Sequence, residues 1–159
     1  MRIALPIVAS LSLLSAPLLA QKPDFSGTWK LSEEKSDPIP PGRMGGMRAT
    51  ELTIVQKDGK LTITSKMGDM SRSATYALDG TESKNAGMRN MELTTTSKWV
   101  DNTIVTDGDN TVQGPMGEMR LKTHEVRSLS ADGKTMTVIS TTTTPQGERT
   151  RKNVYDKQA

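Results

Sequence analysis

Eight of the ten methionines fall into four pairs of one spacing: Met44-Gly-Gly-Met47, Met67-Gly-Asp-Met70, Met88-Arg-Asn-Met91 and Met116-Gly-Glu-Met119. A thioether is a soft, neutral ligand that needs no deprotonation, so paired thioethers suit Cu(I) or Ag(I) and serve zinc, calcium or magnesium poorly. The Met-x-x-Met spacing lets two sulfurs reach one ion from a single loop, and the glycines between them let the backbone bend around it. Two plainer readings use the same residues. Flexible, polarizable methionines adapt to an apolar ligand or a partner surface at the mouth of a pocket, or they plug one end of the fold as core. All three stay open at this point.

Other chemistry is scarce. His124 is the only imidazole and there is no cysteine, which removes a thiol nucleophile and a thiolate zinc site and forces any Ser-His-Asp arrangement through His124. His124 alternates with Leu121 and Thr123 in a strand and reads as a surface or satisfied side chain. Asp58, Asp79 and Asp132 stand in turns, where local hydrogen bonding to the backbone accounts for them. The expectation is a protein that is not an enzyme. Of the 21 Lys and Arg only Arg2 precedes residue 21, so they nearly balance the 18 Asp and Glu, and with one Phe, two Tyr and two Trp there is no footprint for nucleic acid.

These residues must be held by strands. From Phe25 onward the chain is a series of short Thr-, Val- and Ile-rich runs without helical periodicity. Ten strands are expected: Phe25 to Leu31, Glu51 to Lys57, Leu61 to Lys66, Ser71 to Leu78, Thr81 to Lys84, Leu93 to Val100, Thr103 to Thr106, Met119 to Leu129, Thr135 to Thr144 and Arg149 to Asp156. Asp58-Gly59, Asp79-Gly80, Asp101-Asn102 and Asp132-Gly133 tolerate positive φ and close tight hairpins. They fall in every second connection, so an antiparallel up-and-down β-barrel gathers them at one closed rim. The connections expected to be longer are Ser32 to Thr50, which is Pro- and Gly-rich and expected to be mobile, Met67 to Met70, Ala86 to Met91, Gly108 to Met119 and Pro145 to Glu148. They form the opposite, looser rim, and each methionine pair lies in or beside one of them.

The first twenty residues read as a secretory signal: Arg2, an apolar run from Ile3 to Leu14, then Leu18-Leu19-Ala20 before Gln21. Cleavage is expected near Ala20, giving a periplasmic or secreted, non-membrane-spanning mature domain over residues 21–159. Pro6 and Pro17 argue against an uncleaved anchor.

Phe25-Ser-Gly27-Thr-Trp29-Lys-Leu31 resembles the Gly-x-Trp opening of the calycin superfamily, which includes lipocalins and intracellular fatty-acid-binding proteins. Asn153-Val-Tyr155-Asp-Lys157 is similar to the Arg-x-Tyr-Glu-Lys close of the fatty-acid-binding branch, and the start also resembles that of secreted bacterial lipocalin-like proteins. The resemblance implies a lipocalin-like barrel with an interior ligand. The branch's inward arginine falls here on Asn153, with Arg151 two residues earlier on the same face and Arg127 in the eighth strand able to point inward. Arg127, Arg151, Asn153 and Tyr155 are therefore the candidate ligand-binding residues, an arginine forking onto a carboxylate. The helix pair that caps that branch cannot form from Ser32 to Thr50, which holds three prolines and three glycines. Trp29 is expected to plug the closed rim. The functional expectation is an exported binding protein whose partner is Cu(I) or Ag(I) at the methionine rim, a small amphiphile inside the barrel, or another protein.

Overall fold

The computed structural model describes residues 21–39, 48–87, 91–114 and 117–159. Ten strands follow in chain order: β1 (Gly27–Leu31), β2 (Glu51–Lys57), β3 (Lys60–Met67), β4 (Met70–Ala77), β5 (Asp79–Ala86), β6 (Glu92–Val100), β7 (Thr103–Gly114), β8 (Gly117–Leu129), β9 (Thr135–Thr144) and β10 (Gly147–Lys157). They form one antiparallel sheet in the order β4-β3-β2-β1-β10-β9-β8-β7-β6-β5, a nearly closed barrel. Period-two alternation sets the inner face: Leu52 and Ile54, Leu61 and Ile63, Met136 and Val138 are buried while their neighbours are more exposed.

The seam between β4 and β5 has no backbone ladder and is closed by side chains. The Asn85 amide accepts from Thr75 N at 2.8 Å and donates to Thr75 O at 2.9 Å, and Ser83 Oγ accepts from Ala77 N at 2.9 Å. An asparagine thus takes the place of a strand neighbour and satisfies two edge groups at once.

Tight turns close one rim. Asp58 and Gly59 both have positive φ, 51° and 71°, the pair of left-handed residues that a two-residue hairpin needs. Trp29 lies across this end, fully buried, its indole Nε1 donating to Phe25 O at 2.9 Å, with the Lys157 ammonium 5.3 Å from its ring centroid. Gly27 has φ +134°, and a Cβ there would stand 2.8 Å from Lys157 Cε. The Gly-x-Trp pattern therefore has a local cause: the backbone at Gly27 is in a region side chains avoid, and Lys157 crosses it to reach the indole.

Where it is described, the opposite rim is tighter than expected. β7 runs to Gly114 instead of ending near Thr106, so the connection expected over Gly108 to Met119 is mostly strand. The Asp107-Gly-Asp-Asn110 run, which reads as a turn, is held extended by distant partners. Arg120 forks onto Asp109, with Nε to Oδ1 at 2.6 Å, and the Asn110 amide pairs with both Thr94 N and Thr94 O, at 2.7 and 3.0 Å. Likewise Met67 pairs with Met70, and Thr144 with Gly147, across two-residue turns. The start of the long connection after β1 is pinned to β10: Ser32 N donates to Val154 O at 2.8 Å, and Lys152 N donates to Asp37 Oδ2 at 2.7 Å. Its described residues, 32–39 and 48–50, contain no helix.

Candidate functional site

Large apolar side chains fill the half of the barrel nearest the closed rim: Phe25, Trp29, Leu61, Ile104 and Met136 are fully buried. Toward the open rim the same inward positions turn polar. An inner cavity of about 270 Å³ is lined by the apolar Leu52, Ile63, Ala74 and Val138 and, among them, by Tyr76, Arg72, Glu125, Arg127 and Tyr155. Through Ala49 and Asn153 it adjoins an outer cavity of about 540 Å³ at the mouth, lined by Arg48, Arg149, Arg151, Ser140, Thr142 and Thr144.

Arg127 is 7% exposed and already holds an anion. Its guanidinium pairs with the carboxylate of Glu125, two residues away on the same strand face, and Nη1 donates to Thr106 Oγ1 at 3.4 Å, which in turn bonds Ser97 Oγ at 2.8 Å. The other Glu125 oxygen accepts from Ser140 Oγ at 2.8 Å. The Tyr76 ring lies 5.6 Å from Arg127 Cζ. The buried Arg127 Nε has no partner among the described residues. Burial pushes the Tyr155 hydroxyl up to about 12, with the Glu125 carboxylate adding to the rise and Arg127 opposing it. Burial raises Tyr76 as well, against the pull of Arg127. Both phenols therefore keep their protons at neutral pH and remain donors, and Tyr155 uses its own on Ala49 O at 3.3 Å.

The mouth differs. Arg151 and Arg149 follow each other on the inward face of β10, opposite Ser140 and Thr142 of β9. Arg48 Nη1 donates to Asn153 Oδ1 at 3.2 Å, and its Nε, buried, has no partner among the described residues. Within the described residues no carboxylate stands at ion-pair distance from Arg48, Arg72, Arg149 or Arg151. In a site partly withdrawn from water, such guanidiniums are matched to a carboxylate or phosphate oxygen that can take two hydrogen bonds.

The structure brings all four candidate ligand residues to one interior. Arg127 and Tyr155 lie deep, Arg151 lies at the mouth, and Asn153 lines both cavities. Alternation and resemblance did not reveal Arg48, Arg72, Arg149 or Glu125. Arg149 shares the inward alternation of Arg151, a signal that could have found it; Arg48 sits at a loop end where no periodicity applies. Of the candidate metal ligands, Met67 and Met70 are register partners at the β3–β4 hairpin, with Met67 lining the inner cavity. Met119 pairs with Val112 on the β7–β8 hairpin, and Met91 immediately precedes β6. Met44, Met47, Met88 and Met116 lie outside the described residues. His124 points outward, its Nδ1 2.7 Å from Asp107 Oδ1, both half exposed. No group of three His, Cys, Asp or Glu side chains among the described residues could hold a metal ion.

No protein-family model matches the sequence, and no curated protein matches it. Solved structures do match in fold. The zebrafish ileal bile acid-binding protein complexed with cholic acid is similar at a TM-score of 0.61 with 15% identity, over 84% of this chain and 98% of that one. The REP1-NXSQ fatty acid transporter gives 0.60 with 16% identity, over 84% and 96%. Fatty-acid-binding protein 1 of Echinococcus granulosus gives 0.56 with 14% identity, over 85% and 98%. The chain is thus an all-β barrel with the fold of these neighbours, which are themselves named as binding or transport proteins.

Proposed function

We propose that this chain is a non-enzymatic binding protein for a small amphiphile with an acidic head group, its tail in the inner cavity and its head at the mouth against Arg151 and Arg48. The observation that carries this reading is the division of the arginines: Arg127 is satisfied by Glu125, whereas those at the mouth face a cavity without a carboxylate partner among the described residues. The inner cavity, at about 270 Å³, falls just below the range of roughly 300–1,000 Å³ usual for small-molecule pockets, because Phe25, Trp29 and Met136 occupy the space below it. A short tail fits that volume. Displacement of a fluorescent lipid probe by hexanoate, octanoate, decanoate and palmitate, each with its matched alcohol, tests the reading. Octanoate and decanoate should compete best and octanol poorly, and Arg151→Gln should weaken octanoate by roughly tenfold, the scale of one lost charge-assisted bond. Equal competition by acid and alcohol, or none by either, would count against it.

Residues 1–20 lie outside the described residues, and among those described no helix is long and apolar enough to cross a membrane. The leader pattern supports export to the periplasm or medium, and amino-terminal sequencing of protein from its host should begin near Gln21; recovery with Met1 intact would contradict export. A second reading, Cu(I) or Ag(I) binding at the methionine rim, is favoured by Met67 and Met70 facing each other beside the cavity. Titration with Cu(I) under a competing chelator tests it, and an affinity unchanged in the Met67→Leu/Met70→Leu variant would sink it.

A further inference from the structure

We propose that the mouth selects a dianionic head group, and that the cargo belongs to the phosphomonoester class of amphiphiles; this rests on the binding-protein reading above. Three guanidiniums, Arg48, Arg149 and Arg151, line one cavity together with the hydroxyls of Ser140, Thr142 and Thr144. The single acid on that lining is Glu148, which stands on the opposite strand face from Arg149 and Arg151 and accepts from Thr143 Oγ1 at 3.3 Å. Deeper in, Glu125 neutralises Arg127, and Arg72 adds positive charge to the inner cavity with no carboxylate at ion-pair distance among the described residues. A monocarboxylate can occupy one guanidinium fork and leaves the other two without an anion. A phosphomonoester carries about −1.5 to −2 at neutral pH, with three acceptor oxygens, which matches both the charge and the donors. Arg48 supplies the independent sign of an incomplete site: its buried Nε has no partner among the described residues although its Nη1 is already used by Asn153.

The test compares octyl phosphate with octyl sulfate, a tail and tetrahedral head of the same shape with one charge fewer. Octanoate, octanol and inorganic phosphate are run alongside, by calorimetry on the mature protein at pH 8, about two units above the second phosphate pKa of about 6. Octyl phosphate should bind at least about tenfold more tightly than octyl sulfate, a difference of about 1.4 kcal/mol. Arg149→Gln should bring the ratio toward unity; Arg149 is exposed, so this variant tests charge without disturbing the core. Arg48→Gln should act in the same direction. Phosphate and sulfate esters bound within a factor of about two, or a ratio unmoved by both variants, would overturn the dianion proposal and leave the amphiphile reading standing. Inorganic phosphate bound as tightly as octyl phosphate would uphold the dianion site and remove the tail from the account. Failure of every alkyl ligand to bind would overturn both.

Discussion

Replacing Arg127 by Met separates two roles that an inward arginine in such a barrel can have. The substitution keeps an unbranched stem against Tyr76 and removes the charge that neutralises Glu125. Truncating one partner of a fully buried ion pair costs about 3–5 kcal/mol; the Glu125 side chain is 27% exposed against 9% for Arg127, so water recovers part of that and about 2–3 kcal/mol is the expected loss. For a domain of this size each kcal/mol moves Tm by about 2–8 °C, so Tm should fall by about 10 °C. Because Glu125 then loses its ion-pair partner, Arg127→Met/Glu125→Gln should be more stable than the sum of its parts, with a coupling of at least about 1.5 kcal/mol in a double-mutant cycle read by urea denaturation. Octanoate affinity, measured well below the transition, should change by less than about threefold, since the head group is assigned to the mouth. A variant that keeps its Tm but no longer binds octanoate would show that Arg127 holds the ligand, and the placement of the head group would fail.

Gly27→Ala should destabilise by about 1–3 kcal/mol, the scale of a strained backbone, because the terminal carbons of Lys157 can yield but φ +134° cannot; thermal denaturation checks it, and an unchanged Tm would remove the account of the Gly-x-Trp pattern. Asn85→Ala should unpair Thr75 at the seam, cost about 1–2 kcal/mol and speed amide exchange at Thr75 more than at the β2–β3 ladder. Tyr155 keeps its proton in the folded state up to about 12, whereas the unfolded chain releases it near 10. The folded state then binds more protons than the unfolded one across that interval, so stability should hold below about pH 10 and fall as pH rises toward 12. Urea midpoints through that range should fall less steeply for Tyr155→Phe, and parallel curves would contradict the assignment.

Much of the scaffold was legible because its causes are local. Leu52 and Ile54, Leu61 and Ile63, and Met136 and Val138 alternate, and Asp58-Gly59 carries its own turn. The long β7 was not legible: Asp107 to Asn110 have turn chemistry, and only Arg120 and Thr94, distant in the chain, hold them extended. At the β3–β4 connection the looseness expected of the methionine rim is absent, since Met67 and Met70 close a two-residue turn. At the site, Arg127 and Arg151 were visible from strand alternation and resemblance. Of what decides their different roles, Glu125 stands two residues from Arg127 on the same face, within reach of the same alternation, whereas Arg48 beside Asn153 comes from a loop end that no periodicity encodes.

The central claim, an acidic amphiphile lodged in the open half with its head at the mouth, is tested most directly by an NMR titration of the labelled protein with octanoate. Saturable shifts should appear at the guanidinium resonances of Arg48, Arg149 and Arg151 and at the methyl groups of Ile63 and Val138, with His124 on the outer face unmoved. Shifts confined to outer-face residues, or none at saturating octanoate, would contradict it.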